Sequence, residues 1–352
     1  MQNRLENVTN RGKLLAPAGA LLCLVLALAG VVCVARAGSL AGSVLGMFPK
    51  RLGEVGYADL KAARQASWFP QLEAQVLPLR FRRFSEFLRS SGINPDTQIE
   101  EVAWAGAHPK PAAPAAGAPA TGEPVQQFTG EQIVGIALGS FTPDAVDQFF
   151  KKQKLPTVSV RGYTLYAFGS GVSPGDLFFF FFDSNTIAFG HLEILEALIG
   201  VRFGDEESFL QNQTLSPLVD EVNGQGTIWV ALDKEFAHAS MERMVPEVAQ
   251  FPGAADLLAR IKGMTATIQI DSGMDARITP YCGSTNDAVT LAQLLQAGLL
   301  YKRSQVAQSN PDMAKVIDAT AVSVDGDHLK VRTQVSDELL QTVLKSGGIF
   351  PN

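Results

Sequence analysis

The sequence predicts an α+β protein. An N-terminal apolar segment precedes two diverged α+β units, each a mainly antiparallel sheet with helices packed on one face. Three observations carry that expectation: an uncharged stretch near the N-terminus, matching segments in the two halves, and the stretch DLFFFFFDSNTIAFG at residues 176–190. The 352 residues suffice for roughly two or three domains. With 46% hydrophobic and 18% charged residues, the composition is that of a folded chain and not a disordered one.

Residues 1–13 carry Arg4, Arg11 and Lys13, whereas residues 14–35, LLAPAGALLCLVLALAGVVCVA, carry no charge. As a helix that stretch rises about 33 Å, enough to cross a hydrocarbon core of about 30 Å. The basic flank places residues 1–13 in the cytoplasm and the rest of the chain outside, with 14–35 as a transmembrane signal-anchor. A second reading is a signal peptide cleaved after 37, because Ala35-Arg36-Ala37 ahead of Gly38 fits the small-x-small pattern. Val31-Val32 ahead of Cys33 is too bulky for a bacterial lipidation site.

Residues 1–37 hold four of the 29 basic and one of the 35 acidic side chains, which leaves the remainder at about −9. Such a body is a poor partner for nucleic acid or for an anionic membrane surface. Of the three cysteines only Cys282 lies beyond the apolar segment, so no internal disulfide is expected and stability must come from the core.

The halves share three segments in the same order. Val55–Leu60 matches Val230–Asp233, a strand that ends in Asp before a helix. Gly139–Val146 matches Gly283–Val289, where Ser140 or Thr142, and then Thr285 or Asn286, stand as caps ahead of Asp144 and Asp287. Thr157–Leu165 matches Ala321–Leu329, a strand, a Gly turn and a second strand. These matches set the first unit at 50–203, a linker helix at 204–223 and the second unit at 224–347.

Each unit begins with a strand (53–58; 227–232) and a helical stretch (59–91; 234–262). Two strands follow (99–106 and 131–139; 264–271 and 275–282), then a helix (143–153; 286–308), a hairpin (157–168; 320–335) and a closing helix (191–200; 336–346). In 79–91, Phe81, Phe84 and Leu88 form an apolar stripe opposite Arg82, Arg83 and Arg89, and Gly92 ends the helix. The Pro/Ala-rich loop 107–127 has the composition of an extended insertion that buries nothing.

The first unit adds the strand Leu177–Asp183 and its partner Thr186–Phe189. Alternation puts Phe178, Phe180 and Phe182 on one face and Phe179 and Phe181 on the other. Three phenylalanines on an open face expose ~450 Å², the upper end of what a monomer shows. Both faces therefore need a cover. The candidates are another layer of this chain, an apolar ligand such as a lipid in a cavity lined by Phe179 and Phe181, or a second protein.

No catalytic constellation is legible: the chain lacks a Gly-x-Ser-x-Gly elbow, a phosphate-cradling loop, a dinucleotide fingerprint and a His-Glu-x-x-His motif. Glu235, His238 and Glu242 share a helical face, but without a second His or a Cys they read as solvated charge, and no metal or cofactor is expected. Asp271–Asp275 and Asp325–Asp327 read as turns. His108, His191 and His328 stand apart, and Cys282 has no visible base. The expectation is a non-enzymatic, membrane-anchored envelope protein of bacteria, its C-terminal body periplasmic or at the cell surface, with a binding or assembly role and an envelope-protein partner or homodimer. One alternative is a carrier of a lipid or other hydrophobic ligand beside the Phe178–Phe182 strand. A hydrolase without a recognisable motif is the other.

Overall fold

The computed structural model describes residues 38–107, 133–173, 175–244 and 254–346. The segments 1–13 and 14–35, the cleavage point after 37, His108 and the Pro/Ala-rich loop beyond Ala107 lie outside the described residues. No helix among the described residues is long and apolar enough to cross a membrane.

Short helix α1 (Gly42–Leu45) precedes β1 (Leu52–Asp59), whose last residue caps α2 (Leu60–Ala63): Asp59 Oδ1 accepts from Ala62 N at 2.8 Å. Helices α3 (Phe69–Val76), α4 (Leu79–Ser91) and α5 (Pro95–Gln98) lead to β2 (Ile99–Ala107) and β3 (Ile133–Gly139). Gly92 ends α4 with φ 101°, a left-handed conformation that favours glycine. Helix α6 (Pro143–Gln153) is followed by β4 (Thr157–Val160), β5 (Tyr163–Phe168), β6 (Leu177–Asp183), β7 (Thr186–His191) and α7 (Leu192–Phe203).

The expected linker helix is instead a 3₁₀ turn, Phe209–Gln211, and a short α8 (Ser216–Val222). Then come β8 (Ile228–Asp233), α9 (Lys234–Met244), α10 (Ala254–Leu258), β9 (Gly263–Ile270) and β10 (Gly273–Tyr281). Asp233 Oδ1 accepts from Glu235 N and Phe236 N at 3.0 and 3.1 Å, the same device as Asp59. Helices α11 (Thr285–Val306) and α12 (Pro311–Asp318), strands β11 (Thr320–Asp325) and β12 (His328–Ser336), and helix α13 (Asp337–Lys345) complete the order. Ser284, not Thr285 or Asn286, caps α11, its Oγ accepting from Asp287 N. Thr142 sits at the N-cap of α6 without a side-chain bond.

The twelve strands among the described residues form one antiparallel sheet in the order β11-β12-β10-β9-β8-β1-β2-β3-β7-β6-β5-β4. The halves meet at the antiparallel pair β1–β8, with Gly56 opposite Val230. Outward from that pair, one side reads β8, β9, β10, β12, β11 and the other β1, β2, β3, β5, β4, with β7 and β6 inserted after β3.

The expectation of helices on one face needs correction for the first half. One face of the sheet carries Val55, Ala105, Ile136, Phe178, Phe180 and Trp229, and meets α1, α7 and α8 through Leu45, Leu195, Leu198 and Val219. Helix α7, LEILEALIGVRF, is apolar on most of its surface, and Glu193, Glu196 and Arg202 mark its exposed side. The opposite face carries Ile99, Ala137, Tyr166, Phe179 and Ile187 beneath α4 and α6. In the second half that opposite face is covered by α9, α10 and α11, and near β12 by α13 with Trp68 and Phe69. There the first face is polar, and Arg277, Lys330 and Arg332 stand exposed on it.

The phenylalanine strand is thus covered on both faces by this chain. Phe178, Phe179 and Phe180 are 1%, 0% and 0% exposed. Phe181 packs against Phe141 and Tyr166, and Phe182 lies between Phe180, Tyr163 and the guanidinium of Arg202.

Candidate functional site: an apolar cavity under helix α4

One row of residues crosses the sheet through its strand registers: Val230, Gly56, Trp104, Gly135, Phe189, Phe179, Tyr166. Glycine alternates with aromatic residues in its middle, and the rings lie flat over the glycines. A Cβ on Gly56 would sit 2.2 Å from Trp104 Cζ2, and one on Gly135 would sit 2.1 Å from Phe189 Cζ. Trp104 is held down by the bond from its Nε1 to Glu54 Oε1, 2.8 Å.

The flattened rings form the floor of a cavity of about 260 Å³. Val102, Ile187 and Ala137 continue the floor, and α3 and α4 roof it with Leu77, Phe81, Phe84 and Leu88. Val102, Trp104 and Phe189 sit on interior strands, where apolar side chains are normally fully covered, yet all three are only half-buried. The helices stand off the sheet here, and the surface they leave is apolar.

Three polar side chains reach this space: Arg64, Glu73 and Ser85. Arg64 is fixed by donating Nη1 to Ile99 O at 2.6 Å and Nη2 to Pro95 O at 3.1 Å. Glu73 is half-buried, and burial pushes its carboxyl above the usual range, with Arg64 partly offsetting that effect. A guanidinium with spare donors and a carboxylate thus flank an otherwise apolar space.

Phe179 and Phe181, the residues singled out from the sequence, stand beside this cavity and do not line it. Phe84 is the bridge: its ring centroid lies 6.0 Å from that of Phe179 and 6.1 Å from that of Phe189. The flat rings and their glycines escaped the sequence reading, although a glycine inside a strand pattern, as in IVGIALG, signals close approach over the backbone.

The remaining candidates stay dispersed. Among the described residues no group of three metal-binding side chains exists. Cys282 is buried, and burial, with Asp287 and Asp327 adding, pushes its thiol up to about 11, an inert setting. His191 ends β7 beneath α7, with Nε2 3.1 Å from Arg80 Nη2. His328 Nε2 lies 3.4 Å from Asp327 Oδ1 at the β11–β12 turn.

No family model matches the chain, and no curated protein matches it. Among solved structures, crystal forms I and III of TP0453 match with a TM-score of 0.47 and 10% identity, over 86% of this chain and 97% of theirs. A likeness of that size says nothing further about this chain.

Proposed function

We propose that this is a non-enzymatic binding protein of the bacterial envelope, anchored in the cytoplasmic membrane by residues 14–35, with its body on the outer side. It holds one apolar chain in the cavity under α4. The half-covered floor of Val102, Trp104 and Phe189 carries this reading, because closing it would bury more apolar surface and the helices do not do so. A cavity of 150 Å³ takes benzene, so 260 Å³ corresponds to about ten carbon atoms of a chain. The ligand expected beside the Phe178–Phe182 strand is therefore moved across the sheet, onto β7, β3 and β2.

In the same reading, 50–203 and 224–347 are diverged copies of one α+β unit. The parallel strand orders on either side of β1–β8, and the Asp caps at the ends of β1 and β8, support it. The test is native mass spectrometry of the full chain gently extracted from the membrane fraction. A reproducible adduct the size of a single-chain lipid, on a protein retaining residues 1–37, is expected. A bare mass would overturn the carrier reading, and a soluble chain starting at Gly38 would overturn the anchor.

A further inference from the structure

Resting on that cavity reading, we infer that the ligand is a neutral single-chain amphiphile with a hydroxyl head, of the monoacylglycerol type, its head held between Arg64 and Glu73. The two groups line the same cavity from α3 and from the end of α2. Arg64 spends two of its five N–H donors on the carbonyls of Ile99 and Pro95 and makes no ion pair among the described residues. The Glu73 carboxylate has no hydrogen-bond or ion-pair partner among the described residues, and the charges acting on it are Arg64, Asp96 and Arg89. Arg89 is engaged by Asp96, 2.8 Å away.

The charged side chains lining the cavity are therefore one cation and one anion that act on each other without forming a direct ion pair. A hydroxyl head bridges the two: its oxygen accepts from Arg64 and its proton is donated to Glu73. A carboxylate head would set two anions against one guanidinium, and an ammonium head two cations against one carboxylate. Both leave an unbalanced charge in a half-buried apolar site. Ser85, on the roof, supplies a further hydroxyl for a second oxygen of the head.

The experiment offers the full chain an equimolar mixture of 1-monodecanoylglycerol, decanoate and decylamine, and reads relative occupancy by native mass spectrometry. The ten-carbon chain matches the cavity. Wild type is expected to prefer the glyceride by roughly tenfold, the size of one hydrogen bond to a charged group. Glu73→Gln leaves Arg64 as the one charged side chain lining the cavity and should shift the preference to decanoate; Arg64→Gln should shift it to decylamine. If Arg64→Gln does not fold, because Ile99 and Pro95 lose their donor, the Glu73→Gln arm decides alone. An unchanged order of preference in wild type and Glu73→Gln overturns the head-group inference while leaving chain binding intact. Failure of all three probes to bind overturns the cavity reading itself.

Discussion

Replacing Gly135 by alanine tests how the cavity floor is built. The new methyl would sit 2.1 Å from Phe189 Cζ and 2.5 Å from Cε1. Carbon atoms pack at 3.5–4.0 Å, so the ring must lift by roughly 1.5 Å, and the cavity it lines gives it room. Overpacking of this kind costs about 1–3 kcal/mol, and here the low end applies because the ring has room to move. Loss of a glycine from a strand interior offsets about 0.5–1 kcal/mol of that. Gly135→Ala should therefore destabilise by on the order of 1 kcal/mol in equilibrium urea unfolding. In a Phe189→Leu background the same change should be neutral or stabilising by about 0.5 kcal/mol, since no ring is left to lift. The lifted ring also fills the cavity, so decanoylglycerol binding should fall at least tenfold in the single variant. Equal destabilisation in both backgrounds would refute the ring-over-glycine account.

Other outcomes follow from the core and the charges. Phe179→Ala removes a fully buried ring that contacts Phe84, Phe150 and Tyr166, and should cost about 3–5 kcal/mol in urea unfolding. A loss below 1 kcal/mol would mean the ring is a cavity wall and not core. The Arg332 hydrogen bond, with Arg277 adding, lowers the Asp275 carboxyl from 3.8 to about 2. Its folded value lies below its unfolded one, so the stabilisation is complete above about pH 4 and is lost as pH falls towards 2. Both arginines are half exposed, so screening leaves roughly 1 kcal/mol, and Asp275→Asn should flatten the stability profile across that window. A variant profile parallel to wild type would remove Asp275 from the account. With Cys23 and Cys33 changed to Ser, Cys282 should react with a thiol reagent at pH 8 at least a hundredfold more slowly than a free cysteine, since about one thiol in a thousand is ionised. Rapid labelling of folded protein would contradict its burial.

The sequence by itself determined the order of the strands and of the longer helices. Local signals are strong in this chain: Asp59 and Asp233 stop strands and start helices, Gly92 ends α4, and Pro143 opens α6. The strict alternation of residues 177–183 divided the phenylalanines between two faces and required both to be covered. Residues 309–319 carried no assigned element, although Asn310 caps α12 there through Met313 N. Only the tertiary structure decided that the two halves share one sheet through β1–β8, since pairing of edges 170 or so residues apart leaves no local trace. It also decided what covers Phe178 and Phe180: the sequence of α7, apolar on most of its surface, does not say which strand it meets. The cavity was illegible for the same reason. Trp104 and Gly56, and Phe189 and Gly135, meet only through register, and the space above them depends on how far α3 and α4 stand from the sheet. Periodicity assigns side chains to faces; the distance between layers comes from the packing of all the side chains between them.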